Sequence, residues 1–138
     1  CALGSNQIKK LNKFKKSRKV LIKKYEELLY NNDQIEIVSS SKIKEVSWHL
    51  FVLKINFNSL EIDRSKLMEL LLEKKIRTQV HYIPIHLMPF YKKKNLSLDG
   101  TISYYKSILS FPLFPKMNED DVEYVSGNLV KILSKYRK

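Results

Sequence analysis

Apolar side chains recur three and four apart through the first thirty residues. Ile8, Leu11, Phe14, Leu21, Tyr25, Leu28 and Leu29 are separated mostly by lysines, a spacing that lines apolar groups along one helix face. The pattern predicts one amphipathic helix over residues 5–29, stopped by Asn31, Asn32 and Asp33, whose side chains compete for backbone hydrogen bonds. A short strand is expected at 35–38 and a loop through Ser39, Ser40 and Ser41. Residues 46–57 are β-branched and aromatic, with Trp48, Leu50, Val52 and Lys54 alternating against His49, Phe51, Leu53 and Ile55. That predicts a strand covered on both faces, with His49 a satisfied core histidine.

Asp63 is placed to cap a helix that turns Leu67, Leu70 and Leu71 inward and ends near Lys75. A strand at 78–82 should follow. Pro84 and Pro89 then bar regular helix or central strand from 83–91. Residues 92–100 read as polar loop, 102–109 as a short helix, and 111–115 as extended because of Pro112 and Pro115. The last helix carries the clearest signals. Asn118 caps it, Glu119, Asp120 and Asp121 complement its dipole, and Val122, Val125, Leu129 and Leu133 form its buried stripe, with Gly127 expected at a close helix approach. Helices alternating with non-adjacent strands predict an α/β fold, a small two-layer sandwich with a mainly antiparallel sheet.

At 138 residues the chain is one domain in size. Its longest apolar runs are only a few residues, so it is not expected to enter a membrane. The single cysteine, Cys1, cannot pair within the chain, and no cysteine cluster is present to hold zinc. A reducing compartment, the cytoplasm, is expected. The chain starts at Cys1 and not at methionine, which suggests a piece of something longer. Nine of the 26 bases lie between Lys9 and Lys24 with no acid among them, which localises most of the net charge of +12. Such a stripe can attract an acidic polymer. Only four of the bases are arginine, the better phosphate fork, so nucleic acid is not the expected partner.

Candidate chemistry concentrates in residues 80–91, which leave a strand and pass through two prolines. His81, Tyr82, His86 and Tyr91 there offer hydrogen-bonding groups with ring faces, suited to a sugar, a ring or a phosphate. The spacing of the two histidines is not a metal-ligand pattern, and no Gly-rich phosphate loop exists. No residue is assigned as catalytic, cofactor-binding or metal-binding.

Four ordered blocks carry a resemblance: residues 1–11, the Ser47-Trp48-His49-Leu50-Phe51 run, the 80–91 string and residues 109–115. Together they resemble the C-terminal part of the DegT/DnrJ/EryC1/StrS sugar aminotransferases, with wording nearest the altrosamine transaminases. The resemblance implies the small C-terminal domain of a fold-type I pyridoxal phosphate (PLP) enzyme over 1–138, with 1–30 the connecting helix and 35–138 the α/β sandwich. It implies an enzyme that moves an amino group from glutamate to a keto-sugar nucleotide and that works as a homodimer through its large domain. The Schiff-base lysine, and with it PLP, would belong to that large domain and not to these residues. His81, Tyr82 and His86 would then contact the sugar or its nucleotide. A stand-alone module binding a nucleotide sugar or an acidic polymer is the alternative reading. One departure is local: relatives often have glycine where Lys75 stands, so a left-handed, helix-ending lysine is expected there.

Overall fold

The computed structural model describes residues 1–42, 46–91 and 96–138. The lysine-rich start forms two helices, α1 (Ala2–Ile8) and α2 (Leu11–Leu29), where the spacing predicts one. They part at Lys9 and Lys10, which keep right-handed backbone angles, so the apolar period runs across the break undisturbed and does not betray it. Only the second half of α2 enters the core, through Leu21, Ile22, Tyr25 and Leu29. Ile8, expected on the buried stripe, is 71% exposed, and Leu11 and Leu28 are exposed too.

Strands β1 (Ile35–Ile37), β2 (Phe51–Ile55) and β3 (Ile108–Phe111) form one antiparallel sheet with β2 in the centre. Ile35 pairs with Ile55 on one side of β2, and Phe51 with Phe111 on the other. Phe51, Leu53 and Ile55 are buried while Val52 and Lys54 are half-buried, so β2 has one core face and is not covered equally on both. Residues 46–50 are not strand, and His49 is exposed, which corrects the core-histidine expectation.

Helix α3 (Arg64–Glu73) starts as expected: the Asp63 carboxylate accepts from the Lys66 amide at 2.8 Å. It buries Leu67 and Leu71, leaving Leu70 half-buried. Its end is a two-bond turn in which the Lys75 amide donates to the Leu72 carbonyl at 2.8 Å and the Ile76 amide to the Leu71 carbonyl at 2.9 Å. Lys75 sits at φ 60 there, the left-handed position expected for it.

The strand expected at 78–82 is reduced to one bridge, Gln79 with Ser110, closed by hydrogen bonds of 3.0 and 2.8 Å. Two residues further on the β3 side stands Pro112, which has no N–H to continue the ladder. Helix α4 (Asp99–Ser107) begins before the expected 102 and stops before 109, because Ile108 and Leu109 are drawn into β3 and buried. Of the loop predicted at 92–100, residues 92–95 lie outside the described residues. Arg64 reaches across from α3 to the Tyr105 and Ile108 carbonyls and lies over the Tyr105 ring at 4.7 Å, fixing α4 to the rest.

Helix α5 (Glu119–Lys135) carries a full capping box between Asn118 and Asp121, at 2.8 and 3.0 Å. Its Val122, Val125, Leu129 and Leu133 close the core with α2, α3 and the sheet. Gly127 is exposed, and a Cβ there would meet nothing within 4 Å, so the expected close approach does not occur. Among the described residues no helix is long and apolar enough to cross a membrane.

Candidate functional site

The turn that ends α3 releases an extended segment in which alternate residues part company. Ile76 and Thr78 are buried, whereas Arg77 and Gln79 are exposed and His81, next in the same phase, is half-buried; Lys75, in the turn itself, is exposed beside them. These last four form one wall of a cleft of about 380 Å³. His49 stands in it as well, brought from the segment before β2, and the floor is Ser110 with the apolar run from Phe111 to Phe114. The Gln79–Ser110 bridge sets the distance between wall and floor.

His81 is held by its ring. Its Nδ1 lies 2.9 Å from the hydroxyl of Ser110, a residue only 4% exposed. The Tyr82 ring meets the His81 ring edge-on at 4.7 Å, across a cis peptide bond. Tyr82 itself is 74% exposed and stands outside the cleft lining.

The remaining two expected residues lie further along. Pro84 is buried and anchors a 3-10 turn, Ile85–Leu87, that carries His86. His86 is half-buried, with its Nε2 enclosed and without a hydrogen-bond partner among the described residues. Tyr91 packs edge-on against Phe90 at 5.0 Å, and Phe90 is 89% exposed. Of the four expected residues, His81 alone lines the cleft; Tyr82 touches its ring from outside, and His86 and Tyr91 are not part of the lining. Sequence reasoning missed Lys75, Arg77, His49 and Ser110 as cleft residues. The signal for Arg77 was present in the shared phase of 77, 79 and 81, and Lys75 reaches the cleft from the turn that ends α3. Nothing local marks His49 or Ser110, which arrive through tertiary pairing.

Among the described residues no three His, Cys, Asp or Glu side chains gather as metal ligands would. A second polar cluster surrounds Glu26 on α2. Burial alone would raise its pKa, but the Ser41 and Ser40 hydroxyls and the Ser41 amide hold the carboxylate below its ordinary range. That cluster pins the loop after β1 onto α2 and is structural.

The sequence profile of the DegT/DnrJ/EryC1/StrS aminotransferase family matches residues 1–130. The chain belongs to this family. It is 33% identical over its whole length to the UDP-4-amino-4,6-dideoxy-N-acetyl-beta-L-altrosamine transaminase of Campylobacter jejuni, covering 37% of that protein. Helicobacter pylori PseC, an aminotransferase involved in the biosynthesis of pseudoaminic acid, superposes with a TM-score of 0.88 at 22% identity, over 98% of this chain and 37% of its own. The PLP form of Spr1654 from Streptococcus pneumoniae gives a TM-score of 0.80 at 25% identity, over 96% of this chain and 34% of its own. The chain spans about a third of the length of the curated relatives it matches. Its sandwich is thus an α/β domain of a PLP aminotransferase family whose members serve sugar and polysaccharide biosynthesis.

Proposed function

We propose that these residues are the C-terminal small domain of a cytoplasmic, homodimeric PLP-dependent aminotransferase that moves an amino group from glutamate to a keto-sugar nucleotide. His81 and Tyr82 would face the sugar or its nucleotide, and His86 and Tyr91 would border the same substrate from the neighbouring loop. The observation that carries this reading is the family match over residues 1–130, together with full-length coverage of this chain by the Campylobacter jejuni transaminase. Two exposed apolar surfaces support it. Leu3, Ile8 and Leu11 on α1 and α2, and Ile83, Ile85 and Phe90 on the loop, are open to water and would be covered by other residues of the whole protein.

PLP supplies the carrier chemistry for the amino group when bound, and the protein supplies its anchoring lysine and the groups around its ring. The described residues do not fit that part. None of their lysines is buried, and the two whose pKa departs, Lys24 and Lys66, are raised by hydrogen bonds to Glu123 and Glu69 and so held as cations, the opposite of a nucleophilic amine. The cofactor-bearing lysine would therefore come from other residues of the whole protein, and the contribution of this domain would be to bind and orient the sugar nucleotide.

A chimera tests the reading. These 138 residues would replace the corresponding third of the Campylobacter jejuni transaminase. The folded, PLP-loaded chimera is expected to aminate its keto-sugar nucleotide at the expense of glutamate. A folded and loaded chimera without that activity overturns the proposal.

A further inference from the structure

We propose that the cleft between the outer half of α2 and the segment before β2 is an anion site that takes a condensed phosphate, a chain of two or more phosphoryl groups, with Arg18 as its inner anchor. It shares no residue with the cleft around His81 and stands independently of the transaminase reading. The cleft measures about 340 Å³. Lys15, Lys16, Arg18 and Lys19 line it from α2, and Ile22 with the half-buried indole of Trp48 supplies an apolar wall. Four cations within five residues, set against such a wall, concentrate a positive field in the concavity. Among the described residues no aspartate or glutamate lines it, and none of the four cations enters an ion pair. Further along the same helix Lys24 has acids within reach and pairs with Glu123 at 2.6 Å. Glu26, the first acid on α2, is engaged by the Ser40 and Ser41 hydroxyls.

Arg18 distinguishes this cleft from a solvated row of lysines. Its Nε is enclosed and has no hydrogen-bond partner among the described residues, so the guanidinium is packed in place while no protein acceptor holds it. A packed guanidinium loses little freedom when an oxyanion arrives, and its planar fork matches two oxygens of one phosphoryl group. Lys15 and Lys19 stand four apart and Lys16 and Lys19 three apart, neighbours on a helix surface at about 5–6 Å between Cβ atoms. Like charges at that spacing repel, and a counter-charge between them relieves the repulsion. The arrangement suits a ligand with charge on successive groups, so that Arg18 holds one phosphoryl group while the lysines meet the next. A single carboxylate would engage too few of the four cations, and the carboxylates of a peptide are set apart by its backbone.

The test reads the fluorescence of Trp48, the only tryptophan of the 138-residue chain, during titration with inorganic tripolyphosphate. The buffer holds about 0.15 M KCl, which screens scattered surface charge. A saturable change is expected. Arg18→Gln and the pair Lys15→Gln with Lys19→Gln should each weaken binding about tenfold or more, the loss that goes with a charge-assisted hydrogen bond. Arg18→Lys should restore only part, because lysine keeps the charge and lacks the fork. The pair Lys13→Gln with Lys23→Gln removes two charges of α2 outside the cleft and should bind as the parent does, and so should Arg77→Gln. Arg18 is half-buried, so a reading that needs no variant accompanies these: the Nε–H NMR resonance of Arg18 in the parent chain should shift along the same saturation curve. Absence of a saturable change, an unmoved Arg18 resonance, equal losses in the two lysine pairs, or a loss from Arg77→Gln as large as that from Arg18→Gln would each overturn the site. Polyglutamate binding as tightly as tripolyphosphate at equal charge would overturn the ligand class. Glu45 is the one acid in sequence between Ser41 and Val46. Glu45→Gln should leave the affinity unchanged, and a tenfold gain would overturn the proposal by making that carboxylate the partner of Arg18.

Discussion

Lys75 occupies a backbone position that ordinarily belongs to glycine. A side chain at φ 60 crowds the carbonyl that follows it, at a cost of roughly 1–2 kcal/mol, and the two hydrogen bonds of the turn hold it there all the same. Lys75→Gly is expected to stabilise the chain by about 1 kcal/mol, less than the full cost because glycine also gains freedom in the unfolded state. A urea midpoint moving upward with unchanged slope would show this. Tyr25 is a second residue whose surroundings set its chemistry. Its ring stacks on Phe51 at 4.1 Å and its hydroxyl donates to the Pro112 carbonyl at 3.0 Å. Burial, helped by the negative charge of Asp121, pushes its pKa well above the ordinary phenol value. A phenol that is harder to ionise in the folded state contributes stability that is complete below about pH 10 and fades as the pH climbs toward the folded-state value. Stability measured from pH 9 to 12 should therefore fall in the parent and fall less in Tyr25→Phe. That variant should also lose about 0.5–1.5 kcal/mol at neutral pH with the hydrogen bond.

Elements announced by chemistry at their ends were legible from sequence, and elements decided by distant pairing were not. Asp63 and Asn118 cap α3 and α5 where their side chains predict it, since a cap is a bond between residues three apart. The shortness of β2 and the capture of Ile108 by β3 depend on what lies across the fold, and no local pattern records that. The same distinction holds at the cleft. The aromatic and proline string around His81 stands out by composition, but His49 and Ser110 join it only through the sheet. Helical phase also proved finer than the apolar count: Leu67 and Leu71 are fully buried, and Leu70, equally apolar, is not. Leu71→Ala should accordingly cost about 2–5 kcal/mol through the cavity it leaves. Leu70→Ala should cost about 1 kcal/mol, the ordinary size for a point change. Thermal melts of the two variants side by side check the phase, and equal losses would contradict it.

For the molecule as a whole, the basic stripe of α2 lies mostly in water. The lysines of α2 other than Lys24 are exposed, so Lys13, Lys16 and Lys23→Gln should shift folding stability by no more than about 0.5 kcal/mol per site. Denaturant titration of the triple variant reads this directly. A loss of several kcal/mol would mean that the stripe is packed and not solvated. Closure of the fold falls to the far end of the chain. Tyr136 accepts from the Glu61 amide at 2.8 Å, the Lys138 amide donates to Ser59 at 3.0 Å, and α5 covers the buried face of α2. A ribosome translating this segment therefore releases α2 long before the helix that shelters it. Until α5 emerges from the exit tunnel, the burial of Leu21, Ile22, Tyr25 and Leu29 stays incomplete, because the contacts that α5 supplies have not yet been made.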